Sequence, residues 1–178
     1  MTDLRSAPVP APRPEDHVRG PEGAPLLVVY ADFTCPRCAL AWSRLAGAPL
    51  RIVFRHLALK AKHPRAVALA CAAEAAARQD RFWPFAESIY ADPGRTDDPH
   101  LWARCPELGI DVERFDADRR DDTALARVRH DVTSGLRAGV TVTPTFFVGD
   151  GLSEIHPGPP DMATVARWTT GPGHPASR

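Results

Sequence analysis

Two cysteines three residues apart, in Cys35-Pro36-Arg37-Cys38, are the part of this sequence best equipped for chemistry. At the start of a helix, residues with this spacing lie on one face a turn apart, close enough for a disulfide to form and break without large backbone movement. The first cysteine stands where unpaired N–H groups and the helix dipole favour an anion, which lowers its pKa and makes it a thiolate near neutral pH. The charge of Arg37 pushes the same way. The second cysteine, a turn deeper, is more sheltered. Cys35 is therefore the candidate nucleophile of thiol–disulfide exchange and Cys38 the candidate resolving thiol. A lone CxxC is also half of a zinc site, but zinc needs further ligands at matching spacing, and the chain holds no second CxxC and no HxxxH. The redox reading is preferred over that alternative, and no metal is expected.

The elements that must position this pair can be read on either side of it. Leu26-Leu27-Val28-Val29-Tyr30-Ala31 is a short β-favouring apolar run without alternation, the pattern of a central strand buried on both faces. Thr34 is a candidate N-cap, Pro36 fits the first helical turn, and the helix is expected to run through Leu45 until Gly47 and Pro49 end it. Leu50 to Leu57 reads as a second strand, parallel to the first through a right-handed crossover. Helical stretches follow, at Ala66–Arg78, Phe82–Tyr90, His100–Leu108, Val112–Asp118 and Thr123–Gly139. Thr141 to Val148 is β-branched and aromatic, Gly149-Asp150-Gly151 is a turn signal into Leu152–His156, and a last helix spans Met162–Trp168. The fold class is α/β: βαβ, a helical insertion at about 63–139, then a β-hairpin and a helix. The prolines at 8, 10, 12 and 14 mark residues 1–14 as a disordered arm, with residues 171–178 a frayed tail, leaving one domain at 15–170.

With 178 residues, 44% hydrophobic and 25% charged, the middle of the chain has the composition of a globular domain. Lys+Arg and Asp+Glu both number 22, so there is no electrostatic case for nucleic acid or an anionic membrane as partner. No segment near the N-terminus is apolar enough for a secretory signal, and Leu26–Ala31 is too short to span a bilayer. The expected location is the cytoplasm, where four cysteines without a scaffold pattern point to catalysis or metal binding rather than structural disulfides.

Several motifs together resemble the DsbA-like thioredoxin domains. They are Asp16-His17-Val18-Arg19-Gly20-Pro21 with Ala24-Pro25, Val29 through Cys38, Phe54-Arg55-His56-Leu57 with His63-Pro64, Ala72-Ala73-Glu74-Ala75-Ala76, Phe82-Trp83, Leu108-Gly109-Ile110-Asp111 and Gly139 through Val148. The resemblance covers about residues 15–168, in order. It implies a thioredoxin-like fold with a helical insertion and protein or small-molecule thiols and disulfides as substrates. It also implies a redox partner that recycles the dithiol, and no cofactor beyond the Cys35–Cys38 disulfide itself. It matches Cys35 and Cys38 to the nucleophilic and resolving thiols. Pro144 matches the family's proline with a cis bond before it, a geometry that only about 5% of X–Pro bonds adopt in general. Thr143, Pro144, Pro36 and Arg37 are thereby the expected substrate-binding residues, the Thr143 backbone pairing with a substrate chain as an added strand. Two departures stand out. The segment after Cys38 is short, and Val29 occupies the position where thioredoxin-like enzymes often bury a carboxylate, which leaves the proton acceptor for Cys38 unassigned; Asp32 is nearer but is expected on the loop.

Other readings of the same residues exist. A glutathione-dependent isomerase or transferase on this fold usually lacks the second cysteine, so Cys38 argues against it; a redox-sensing binding module is a third reading. Cys71 and Cys105 read as small core residues, with a disulfide between them as the alternative. His56 and His63 read as structural histidines, and Phe82, Trp83 and Phe85 as core, with a hydrophobic substrate site beside the insertion as the alternative for the three aromatics. The direction of electron flow stays open: a low pKa at Cys35 favours an oxidant, whereas a cytoplasmic location favours a reductant.

Overall fold

A computed structural model describes residues 6–59, 61 and 63–170. Five strands, β1 (His17–Arg19), β2 (Leu26–Ala31), β3 (Arg51–His56), β4 (Thr145–Val148) and β5 (Glu154–Pro157), form one sheet in the order β1-β3-β2-β4-β5. β2 and β3 are parallel and joined by α1 (Pro36–Leu45); the other pairs are antiparallel. Between β3 and β4 run α2 (Ala66–Ala77), α3 (Phe82–Ala91), α4 (Asp98–Glu107), α5 (Val112–Asp118) and α6 (Asp122–Arg137). A turn of 3-10 helix precedes β5, and α7 (Met162–Thr170) follows it.

The unbroken apolar run of β2 has its reason here. Leu27, Val29 and Ala31 face a core built with α1, α3 and α7, while Val28 and Tyr30 face a second core with Val53, Phe147 and Val140. Each face of the strand is dry, so no position is left for a polar residue. On the second face α6 lies close to the sheet at Gly135, where a Cβ would fall 2.8 Å from the Tyr30 ring. The Tyr30 hydroxyl meets the Ser134 hydroxyl at 2.9 Å beside that contact.

Two regions differ from the sequence reading. The expected disordered arm 1–14 is, over its described part 6–14, a strap tied to the body. Its prolines do exclude helix and strand, but the Pro10 and Ala11 carbonyls accept from Arg55 at 2.8 and 2.9 Å, and the Arg137 carbonyl accepts from the N–H groups of Ser6 and Ala7. Buried cations need acceptors, and irregular backbone supplies free carbonyls. In addition, β1 is an edge strand that three residues were too few to announce. The expected tail 171–178 lies outside the described residues.

Candidate active site

The site grows from the end of β2. Asp32 is 4% exposed, and its Oδ1 accepts from the Thr34 N–H (2.8 Å) and hydroxyl (2.7 Å). This Asx-type turn stops the strand and directs the chain into α1. Thr34 is thus spent on Asp32, and the N-cap is Cys35 rather than Thr34, with Pro36 in the first turn. The Cys35 carbonyl accepts from the N–H of Cys38 (3.0 Å) and Ala39 (3.2 Å).

Both thiols are free and buried, Cys38 the deeper of the two. They are nonetheless opposites. The Cys38 thiol donates to the Cys35 sulfur, and with help from the Thr143 side chain and the N–H groups of Cys38 and Arg37 this outweighs burial and holds the Cys35 thiol down at about 5. Burial, and then the neighbouring Cys35, push the Cys38 thiol well above its ordinary range. One proton between two sulfurs therefore sits on Cys38. The Asp32 N–H donates to the Cys38 sulfur at 3.5 Å.

From the far side of the sheet comes the segment before β4. The Thr143–Pro144 peptide is cis, and the Thr143 carbonyl is 3.5 Å from the Cys35 sulfur. Arg37 acts differently from the sequence expectation: it lowers the Cys35 pKa through its backbone N–H, while its exposed guanidinium turns to the loop after β5. There, at φ +91°, Gly158 leaves room for it; a Cβ would stand 2.4 Å from the Arg37 Nη2. Gly158 N–H donates to the Pro144 carbonyl at 2.7 Å. Cys35, Cys38, Arg37, Thr143 and Pro144 are thus gathered at one end of the sheet, with Pro36 exposed beside them.

Beneath the thiols lies an aromatic floor that sequence reading did not single out. Phe33 stacks on Phe54 (5.3 Å between centroids) and packs on Tyr90 (5.2 Å), and Tyr90 reaches Trp42 (5.5 Å). The Tyr90 hydroxyl is buried, has no hydrogen-bond partner among the described residues, and is pushed above its ordinary pKa by burial and then by the nearby Cys38. Asp32 and Tyr90 are the polar groups near Cys38 that sequence reading did not credit; the Asp-x-Thr turn pattern was the available signal for the first. Cys71 and Cys105 lie in separate core clusters, both free. Cys105 donates to the Leu101 carbonyl at 3.3 Å, and burial raises its thiol to about 11.

Comparison with known proteins agrees with this geometry. The family model described as Thioredoxin matches residues 13–165, and the chain belongs to that family. A Na(+)/H(+) antiporter NhaA of Herminiimonas arsenicoxydans is 44% identical over 140 residues, covering 75% of this chain but 22% of the antiporter. Another, NhaA 1 of Mycolicibacterium vanbaalenii, is 37% identical over 161 residues, covering 85% and 26%. The chain therefore spans about a quarter of the length of these curated relatives. Among its described residues no helix is long and apolar enough to cross a membrane. Solved structures give the DsbA-like thioredoxin fold. A thioredoxin-like oxidoreductase from Silicibacter pomeroyi matches at TM-score 0.76 and 23% identity, covering 86% of this chain and 90% of that one. A periplasmic thioredoxin-like protein from Salmonella enterica serovar Typhimurium matches at 0.74 and 18% (89% and 90% covered), and α-DsbA1 of Wolbachia pipientis at 0.71 and 20% (85% and 87%).

The expectation of a cytoplasmic location is corrected by these likenesses, which include a periplasmic protein and point away from the cytoplasm. That expectation rested on a missing apolar leader, and such a segment is no part of the fold that does the chemistry.

Proposed function

We propose that this domain is a dithiol–disulfide oxidoreductase in which Cys35 exchanges disulfides with protein or small-molecule thiols and Cys38 resolves the mixed disulfide. The observation that carries the reading is the split between the two sulfurs, Cys35 held at about 5 and Cys38 pushed far up. In the oxidising direction a substrate thiolate attacks the Cys35 sulfur of the Cys35–Cys38 disulfide, and Cys38 leaves with the electron pair and takes up a proton. A second substrate thiolate then attacks the substrate sulfur of the mixed disulfide, and Cys35 leaves as a thiolate. The substrate loses two electrons and the domain gains them. No cofactor enters these steps; a separate redox partner must reoxidise the dithiol.

Low thiol pKa makes Cys35 a good leaving group and stabilises the reduced form, which supports an oxidant. With the cytoplasmic expectation withdrawn, the objection to that direction falls. The substrate chain is read as lying along Thr143 and Pro144, with Pro36 and Arg37 beside it, because these residues border the Cys35 sulfur. The glutathione-dependent alternative is disfavoured by the presence of Cys38. The antiporter activity named for the longer relatives is not assigned to this domain.

The test is insulin reduction with a dithiol donor. Wild type should turn over and Cys35→Ser should fall to the uncatalysed rate, while Cys38→Ser accumulates a mixed disulfide on Cys35. Absence of any Cys35-dependent turnover would overturn the assignment and favour a redox sensor.

A further inference from the structure

Away from the dithiol, three ligand-type side chains converge. His17 opens β1, His56 closes β3 and Glu74 lies in the middle of α2. The Nε2 atoms of both histidines stand 2.7 Å from the same oxygen, Oε1 of Glu74. The ligand atoms all lie within 4.8 Å of one another. His56 is 1% exposed, Glu74 is buried, and the His17 side chain is 13% exposed on the edge strand. We propose that His17, His56 and Glu74 form a binding site for one divalent metal ion of the zinc class.

The donor set is the first ground. Two imidazole nitrogens and one carboxylate suit zinc and neighbouring transition ions, and three protein ligands leave a position open for water. Of the other buried carboxylates, Asp16 and Asp131 meet guanidinium groups, which cannot bind a metal, and Asp32 is taken up by the Thr34 N–H and hydroxyl. Glu74 alone aims at two lone-pair donors; among the described residues its ion pairs are with His17 and His56.

Geometry is the second ground. Ligands at ~2.0–2.2 Å from a tetrahedral ion sit roughly 3.4 Å apart. Opening each 2.7 Å contact by less than ~1 Å would admit the ion in place of the hydrogen-bonding protons. The rings are already fixed: His17 lies flat on Phe82, and His56 packs edge-on to Phe54 at 5.3 Å and against Phe33 at 5.9 Å. Entry is from the β1 edge, at His17. The bound ion ties a three-residue edge strand and the insertion's first helix to the sheet, without touching the dithiol.

Thiolates are themselves ligands for zinc-class ions, so the test uses the Cys35→Ser/Cys38→Ser protein after chelation to keep the dithiol from competing. Cobalt titration should develop a visible d–d band saturating at one equivalent, zinc should displace it, and zinc should raise the melting temperature. His17→Ala and Glu74→Gln should each weaken binding at least tenfold and abolish the zinc-dependent rise in melting. No saturable band and no rise in melting overturn the proposal; the cluster then holds only its protons. One equivalent retained by both variants overturns it as well, by placing the metal elsewhere. If either variant fails to fold by circular dichroism, the histidine nitrogens of the double-serine protein answer directly. Zinc should shift two Nε2 resonances in long-range 1H–15N spectra, and unchanged resonances refute the site.

Discussion

The dithiol and the charged cluster around Arg55 are both buried, yet the two handle charge in opposite ways. Arg55, fully buried, donates to both oxygens of Asp16 (3.2 and 2.7 Å), to the Pro10 and Ala11 carbonyls and to the Tyr30 hydroxyl. Arg13 bridges Asp16 and Asp131, and the His56 N–H donates to Asp131 at 3.1 Å. Each charged group there faces an opposite charge, although Arg13 Nη1 and Arg127 Nε have no hydrogen-bond partner among the described residues. At the dithiol, by contrast, two like groups share one proton, and neither has an opposite charge to quench it. Burial sets the stakes in both places; pairing decides whether the result is rigidity or chemistry.

The largest effect that would sharpen this contrast is on stability. Burial raises the Asp16 carboxyl, but Arg55 and Arg13 outweigh it and hold the group well below the usual range. A depressed folded pKa contributes stability that is complete above the unfolded carboxylate pKa of about 3.9 and lost as pH falls through the folded value. Asp16→Asn should cost about 3–5 kcal/mol in urea unfolding at neutral pH, because it leaves Arg55 buried without a counter-charge. The thiolate absorbance of Cys35 should keep its midpoint; a moved midpoint would mean that the two regions are coupled.

Next comes the proton between the sulfurs. In Cys38→Ala the Cys35 pKa should rise from about 5, by roughly one to two units, since a hydrogen bond to a charged group is worth about 1.5–3 kcal/mol. Alkylation rate against pH reads this directly. In wild type the rate should be half its plateau near pH 5 and flat above 7. The matching stability of the reduced form is fully present above the unfolded thiol pKa, about 8.5, and is lost as pH falls through the folded value. An unmoved midpoint in the variant would give the credit to the helix start.

Packing follows. Gly135→Ala puts a methyl group into the Tyr30 ring and should cost about 1–3 kcal/mol by thermal melting, with turnover unchanged. The smallest effect is expected at Tyr90→Phe. Removing a buried hydroxyl without a partner should leave stability within about 1 kcal/mol or raise it. A marked loss of the resolving step in that variant would instead draw Tyr90 into the handling of the Cys38 proton.

Local signals carried most of the fold. The helix after the dithiol is read from Pro36 and Gly47, and α5 from its own residues, because caps, prolines and periodicity act within a few positions. Cys35 and Cys38 are legible for the same reason. Pro144 became visible through family resemblance, since nothing local tells it from the other prolines. What stayed hidden depends on distance along the chain. Arg55 sits within an apolar strand, but its partners are strap carbonyls some 45 residues earlier. His17, His56 and Glu74 come from three elements, and their meeting is a product of topology. The strap was misjudged because proline content reports on hydrogen-bonded structure, whereas side chains of the body hold this segment.

The 108 residues separating Cys35 from the Thr143 carbonyl impose an order on the making of the site. A chain made from its N-terminus carries a complete dithiol once Cys38 has been added. The peptide that borders the nucleophile appears only after the rest of α1 and the five helices of the insertion. On the proposed reading the early chain has sulfur without a docking surface, and a molecule cut short before β4 would expose a thiol without the peptide that borders it.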